Sequence, residues 1–381
     1  MRLIIFFLLF GFISEASADP ILVGIHYGQD YLRATVSIKK GSYAVAENGR
    51  NLFVIKEGQT VDITASAGKV NAFFNGENYA GNNRLHFYSL SNSTFHLHPA
   101  GHKINGRNYE ENLIAFAYKG RLQLVNEIEL ENYAAGVIEA ESGKGQELEY
   151  YKVQSVISRT YALNNLVRHQ QEGFQLCDAT HCQVYHGRPL SEPYAALAAA
   201  ATKDIVIVDA DIRLITAAFH SNCGGKTVNA QDVWSKPLSY CVSKPDTFCL
   251  DMPHSSWEKT ITAERWNNYL VSKRFDYTIT NMGLNSPETI RDRQFYVVDS
   301  TLRIPTRVMR ADLKLRSTHF NLTRNGDDIL FIGQGFGHGV GLCQEGAMKM
   351  ALLDYCYEDI IHFYYKDVHL LPRYMMWFFQ E

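Results

Sequence analysis

The sequence predicts an α+β fold in which a β-rich N-terminal module precedes a mixed α/β domain that carries an inserted lobe. Three observations lead there. From Ile21 to about Leu97, short alternating runs such as TVSIKKGSYAV and QTVDITA are separated by Gly and Asn turns, Glu47-Asn48-Gly49 among them, which is the pattern of half-buried strands. From Glu147 to about Gln170, Val153, Val156, Ile157, Thr160, Leu163 and Val167 recur at three- and four-residue steps without Gly or Pro, the period of one helix face. Between Trp234 and about Asp328 these periods fade into charged and polar stretches. The expected division is a signal peptide over 1–18, the β-rich module over 19–105 and the mixed domain over 106–381, with the inserted lobe at 234–328.

The N-terminus carries Arg2, an apolar run from Leu3 to Ile13 and the small residues Ala16-Ser17-Ala18 before Asp19-Pro20. That is the layout of a cleaved secretory signal, and the run is shorter than the roughly 20 apolar residues that cross a bilayer. The expectation is an exported protein, in the periplasm or cell-wall space, with no integral membrane segment after cleavage. Further along, LIAFAYKGRLQLVNEIEL reads as a strand pair turning at Lys119-Gly120 and leading to Glu131-Asn132-Tyr133. The long helix should stop near Gly173. PYAALAAAATK reads as a second helix, and DIVIVD with RLITAAF as a hairpin around Asp209-Ala210-Asp211. A Gly-rich loop, GQGFGHGVGLCQEGA, runs into the apolar helix AMKMALLDYC.

With 381 residues, 46% of them hydrophobic and 12% aromatic, the chain has ample material for two or three packed domains. A net charge of −3 offers no basic field to hold nucleic acid or to coat an anionic membrane. Seven cysteines in an exported chain are open to oxidation. Cys241 and Cys249, flanking VSKPDTF with its Pro245 turn, fit a local bridge, and Cys177 with Cys182 fit another.

Several clusters carry chemistry. Glu139 and Glu141 in GVIEAESGKGQ precede the long helix; beside Val137 and Ile138, a carboxyl near a helix start gains a raised pKa by desolvation and suits general acid work. The alternative is a pair of solvated surface glutamates. The glycines around His338 force tight turns or close approach, but the Lys-Ser/Thr pair of a phosphate-binding loop is missing. His220-Ser221-Asn222-Cys223-Gly224-Gly225 follows RLITAAF and so sits at a strand end, as a cleft cluster or a simple loop. His169, Cys177, His181 and Cys182 supply two nitrogens and two sulfurs, enough for a closed, structural tetrahedral zinc site, with the Cys177–Cys182 disulfide as its rival. Cys223 and Cys343, each near a histidine (His220, His338), raise a cysteine-nucleophile alternative, though neither has an evident orienting partner.

Five segments carry a family resemblance in order: ENYAAGVIEAES with YKVQSVISRTYAL, CDATHCQVYHG, FHSNCGGKT, GFGHGVGLCQEGAMKMA and IIHFYYKDVHLL. From Asn108 to the C-terminus the chain resembles the stage II sporulation protein D and amidase-enhancer family. The resemblance implies a peptidoglycan lytic transglycosylase acting on glycan strands, with a preference for strands stripped of stem peptides. One glutamate protonates the oxygen of the MurNAc-β-1,4-GlcNAc bond and then takes a proton from the muramic C6 hydroxyl, closing a 1,6-anhydro ring. It places that role on Glu141, has Arg159 and Tyr161 buttress the site, and lines the sugar cleft with Gln183, His220, Ser221, His338 and Gln344. It also implies structural zinc at His169, Cys177, His181 and Cys182, and no cofactor for the chemistry itself. Where the family usually has Glu-Met-Pro, this chain has Glu141-Ser142-Gly143, which predicts a looser loop beyond the acid. Two rival functions stand beside it: a non-catalytic glycan-binding activator of a cell-wall amidase, since the family includes amidase enhancers, and a zinc hydrolase built on the His/Cys cluster.

Overall fold

The computed structural model describes residues 20–101, 105–189, 193–234, 236–274, 293, 295–298 and 303–379. The signal peptide expected over 1–18 lies outside the described residues. Twelve strands open the fold: β1 Ile21–Ile25, β2 Arg33–Lys40, β3 Ser42–Glu47, β4 Arg50–Lys56, β5 Thr60–Ser66, β6 Lys69–Phe74, β7 Glu77–Asn82, β8 Arg84–Ser89, β9 Thr94–Pro99, β10 Arg107–Glu110, β11 Asn112–Tyr118 and β12 Arg121–Ile128. They form two sheets. One runs β1-β12-β11-β8-β3-β4, with the short β13 (Leu176–Cys177) added parallel to β1; the other runs β10-β9-β2-β5-β6-β7. Sheet membership thus crosses residue 105.

The alternation read from the sequence is the packing. In β2 and β5 every second residue is buried, Val36 and Ile38 against Val61 and Ile63, and these meet Val23, Val45 and Leu124 of the other sheet in one core. Strands β11 and β12 are buried nearly throughout, because helix α1 (Leu130–Ser142) adds Tyr133 and Val137 to that core. The Lys119-Gly120 turn forms as expected, with both residues at positive φ (47° and 76°), the geometry that matches a two-residue hairpin to strand twist.

Helix α2 (Leu148–Asn164) is the predicted long helix, but it ends well before Gly173. Asn165 stops it: its backbone N–H closes on Ala162 O and its side chain donates to Tyr161 O at 2.8 Å. Beyond that point Val167 is exposed and off the apolar face. Helix α3 (Pro193–Ala201) packs on α1 and α2. The hairpin expected from DIVIVD and RLITAAF forms only as a short antiparallel bridge between Val208 and Leu214, with Asp209 N–H donating to Arg213 O and Ile215 N–H to Ile207 O. Asp209 does hold the turn, accepting from the N–H groups of Asp211 and Arg213. Strand β14 (Ile205–Val208) nevertheless takes β22 (His369–Pro372) as its antiparallel partner, while β15 (Phe219–His220) pairs parallel with β21 (Leu342–Cys343).

After the short helix α4 (Ala230–Trp234), a lobe forms from β16 (Ser256–Ile261), α5 (Ala263–Ser272), the pair β17 (Tyr296–Val298) and β18 (Arg303–Pro305), α6 (Thr306–Leu313), β19 (His319–Asn325) and β20 (Asp328–Gln334). Its sheet, β16-β20-β19, has its own core of Trp257, Trp266, Met309, Phe320 and Phe331, and continues past residue 328. The chain then returns through the glycine-rich loop to α7 (Gln344–Leu352) and α8 (Tyr357–Tyr364). Among the described residues no helix is long and apolar enough to cross a membrane.

Candidate active site

Glu141 lies ahead of the long helix α2 as expected, but it sits in the last turn of a preceding helix, α1, rather than near a helix start. Its surroundings depend on Gly136, one turn earlier. A Cβ there would lie 2.4 Å from Gly187 O and 2.5 Å from the Tyr185 ring, so only glycine lets residues 185–187 pack directly on the helix. The neighbouring Val184 N–H then reaches Glu141 Oε1 at 2.7 Å, and buried Gln183 accepts from Tyr133 Oη at 3.1 Å. Among the described residues Gln183 Nε2 is buried without a hydrogen-bond partner. Gln344, at the start of α7, points its Nε2 toward the backbone oxygen of Glu141 (3.5 Å) and toward Gln154 Oε1 (3.4 Å).

Burial raises the pKa of the Glu141 carboxyl above its ordinary value, opposed by the Val184 N–H bond. A position at the negative end of the helix dipole works in the same direction as burial. Among the described residues Glu141 forms no ion pair. The loop after it is pinned, contrary to the looseness its Ser-Gly sequence suggests. Tyr151 Oη donates to Gly143 O at 3.1 Å and accepts from Gln146 N–H at 3.1 Å.

Arg159 and Tyr161 lie on α2 but serve different neighbourhoods. Arg159 is fully buried; it forms a two-point pair with Glu131 and donates to Ile205 O (2.9 Å) and Ser155 Oγ (3.1 Å). It joins α1, α2 and β14 and has no surface to offer a substrate. Tyr161 Oη faces His181 O (3.5 Å) and accepts from Arg168 (2.9 Å), so it belongs with the His/Cys cluster.

The loops after β15 and before β21 bring the remaining residues together. The strand pair sets His220 beside Cys343, one residue before Gln344. Gly341 (φ 70°) is required because a Cβ would fall 2.2 Å from Ala218 O. The His220 and His338 rings lie 5.4 Å apart, and Trp234, 41% exposed, meets His338 at 5.2 Å in a tilted arrangement. His338 opens onto a pocket lined by Asp232, Thr306, Arg307, Arg310 and Thr318, between the main domain and the lobe. Burial, then the Arg310 charge, holds the His338 pKa at about 4, and burial with the His338 charge holds His220 well below its usual value. His220 Nδ1 faces Val340 O, whereas His338 Nδ1 accepts from Val340 N–H at 3.0 Å.

Ser221 leads to a contact that no motif in the sequence marks. Its Oγ lies 3.3 Å from His254 Nδ1, which is also 2.6 Å from Glu345 Oε1. One ring nitrogen faces both groups, so there is no relay from serine through the ring to the acid, and the arrangement is not a serine-nucleophile triad. Glu345 also accepts from Asn222 Nδ2 and from His254 N–H, which fixes the two loops to each other. Trp234, His254 and Glu345 are thus the site neighbours that sequence reasoning missed. Glu345 alone carried a signal, standing beside Gln344 in the glycine-rich motif.

His169, Cys177, His181 and Cys182 converge, with one donor atom from each within 4.8 Å of the others. Among the described residues buried His169 Nε2 has no hydrogen-bond partner, while its Nδ1 is held by Glu172 at 2.5 Å. A ring oriented by a carboxylate through one nitrogen is the usual arrangement of a metal-ligating histidine, so the donor set fits zinc. All seven cysteines are free thiols. The Cys241–Cys249 bridge suggested by their spacing is absent, because Cys249 Sγ instead lies 3.4 Å from Cys223 Sγ. Cys223 and Cys343 are fully buried, which removes them as nucleophiles for a polymeric substrate.

A profile of the stage II sporulation protein family matches residues 118–208, the stretch holding α1, α2, Gln183 and the His/Cys cluster. The relatives include an uncharacterized protein of Brachyspira hyodysenteriae, 27% identical over 71% of this chain and 74% of its own length. Stage II sporulation protein D of Bacillus subtilis is 28% identical over 66% of this chain and 77% of itself. The amidase enhancer of Bacillus subtilis is 26% identical over 90% of this chain and 54% of itself. Over residues 118–208 the chain is thus similar to the stage II sporulation protein family, and its relatives include both stage II sporulation proteins D and an amidase enhancer.

Proposed function

We propose that this chain is an exported enzyme of cell-wall remodelling, a lytic transglycosylase that cuts peptidoglycan glycan strands. The observation that carries the reading is the Glu141 carboxyl: half-buried, held through one oxygen by a backbone N–H, and with its protonated form favoured by burial. A protonated carboxyl can give its proton to the glycosidic oxygen as the C1–O bond breaks. The resulting carboxylate takes the proton of the muramic C6 hydroxyl as that oxygen bonds to C1, so the group ends as it began. No second carboxylate is needed, unlike in ordinary glycoside hydrolases. The partly exposed Trp234 beside His338 suits a sugar ring.

Zinc held by His169, Cys177, His181 and Cys182 would be structural, because four protein ligands leave no position for water. The cluster would anchor Gln183 and Val184, which follow Cys182 directly. Export, and a cell-wall amidase as partner, rest on the family and on the name of the amidase-enhancer relative.

The test is incubation of the protein with glycan strands, denuded and peptide-bearing, followed by mass spectrometry for 1,6-anhydromuramic ends. The wild type should release them, faster from denuded strands, and Glu141→Gln should not. Equal trace release by both proteins, with both still binding strands, would replace the enzyme reading with that of a glycan-binding activator.

A further inference from the structure

We propose that Cys223, Asp246, Cys249 and Cys343 form a second metal site, a closed tetrahedral zinc centre that ties the His220 loop to the glycine-rich loop. The four side chains come from three separate stretches of chain, are all buried, and place one donor atom each within 4.8 Å of the others. Cys223 Sγ is 3.2 Å from Asp246 Oδ2 and 3.4 Å from Cys249 Sγ, and the Cys223 N–H donates to Cys343 Sγ at 3.3 Å. Zinc bonds of about 2.3 Å to sulfur and about 2.1 Å to oxygen give tetrahedral edges of roughly 3.6–3.8 Å; the 3.2 Å and 3.4 Å ligand separations lie about 0.4 Å inside those edges, so the donors need only a small outward shift to surround one ion. Three thiols and a carboxylate in that geometry select zinc among common divalent ions.

The surroundings are those of a ligand set. Gly225 N–H donates to Cys249 Sγ at 3.4 Å, the kind of bond that spreads thiolate charge. Asp246 is oriented from two sides, accepting from Tyr364 Oη at 3.0 Å and from Phe248 N–H at 3.1 Å. Gly346 makes room for it, since a Cβ there would fall 2.6 Å from Asp246 Oδ2 and 2.1 Å from Tyr364 Oη. A fully buried aspartate with only neutral donors around it is costly unless a cation completes the site. A Cys223–Cys249 disulfide is the competing use of these thiols, but it would leave Cys343 and Asp246 without a role.

The consequence is positional. Cys223 lies three residues after His220, and Cys343 directly precedes Gln344 and Glu345. An ion bonded to both would set the spacing of the two loops that line the proposed sugar cleft. Its presence does not depend on which reaction the cleft performs.

Native mass spectrometry of the full chain, loaded with zinc alone under non-reducing conditions, tests this. The decisive protein is the variant His181→Ala/Cys182→Ala, which leaves the second cluster untouched and should keep one zinc ion per chain; Cys223→Ala/Cys249→Ala should lose one ion relative to wild type. X-ray absorption on two-zinc wild type, which needs no variant to fold, should show about 2.5 sulfur ligands per zinc where the His/Cys cluster alone gives 2. The proposal is overturned if the His181→Ala/Cys182→Ala variant binds no zinc, if wild type shows only 2 sulfurs per ion, or if the denatured mass reveals a disulfide within Cys223, Cys249 and Cys343.

Discussion

Glu131 and Glu141 sit at opposite ends of α1, and their surroundings give the same side chain two different jobs. Glu131, in the first turn, lies at the end of the helix that favours negative charge and is matched by the fully buried Arg159. Glu141, in the last turn, meets the opposite end of the dipole and only a backbone N–H. One carboxylate is paired with a guanidinium and holds the fold together, while burial favours the protonated form of the other.

The largest effect should come from Glu141→Gln. Glutamine retains the Val184 hydrogen bond but has no proton to give and recover, so kcat for anhydro-product release should fall about 10²–10⁴-fold. Stability should not fall with it. The folded carboxyl has a raised pKa, so its contribution to stability is fully present below the ordinary value of 4.5 and is lost as pH rises through the raised value. Melting curves of wild type should therefore drop relative to Glu141→Gln as pH rises above 4.5, and a gap that closes instead would refute the desolvated carboxyl.

Glu131→Gln should show the mirror image. It leaves the Arg159 guanidinium buried without its counter-charge, which costs about 3–5 kcal/mol in denaturant unfolding, while activity per folded molecule stays within a few-fold of wild type. If instead this variant lost activity as Glu141→Gln does and stayed stable, the division of labour along α1 would be wrong.

Much of the first end of this comparison was hidden in the sequence, and the reason is distance. Alternation gave the strands and their turns because a strand's pairing with its hairpin neighbour is local, as at Lys119-Gly120. Periodicity gave α2 because its buried face is continuous from Tyr150 to Ala162. No element was expected over the segment that forms α1, and only the contact with Gly187 explains the glycine at 136. Strand β14 bridges its chain neighbour only at Val208 and pairs along its whole length with β22, and Ser221 meets His254 and Glu345 across the loops, pairings that no local spacing encodes. The motif residues Glu141, Gln183, His220, His338 and Gln344 were legible by resemblance. The contacts that join them, and the gathering of Cys249 with Cys223 rather than Cys241, needed the fold.

Gly136→Ala probes the joint between α1 and the segment that carries Val184. The new methyl must displace Gly187 O or the Tyr185 ring, a strain of about 1–3 kcal/mol. The displaced segment should also pull the Val184 N–H from Glu141. With less to oppose desolvation, the carboxyl pKa should rise further, and the alkaline limb of the kcat/KM profile should move to higher pH. A purely structural glycine would lower the melting temperature and leave that limb in place.

Tyr151→Phe should be the mildest change and the most local. The hydroxyl joins Gly143 O to Gln146 N–H across the loop after Glu141, and both loop groups can turn to water when it is gone. The expected cost is about 1 kcal/mol. Because Ser142 and Gly143 impose little restraint of their own, the freed loop should raise hydrogen exchange at residues 143–147 and lower kcat a few-fold without changing KM. Exchange that stayed at the wild-type level would mean that the end of α1 is fixed by the Gln344 contact alone, and that the hydroxyl contributes nothing to holding the acid in place.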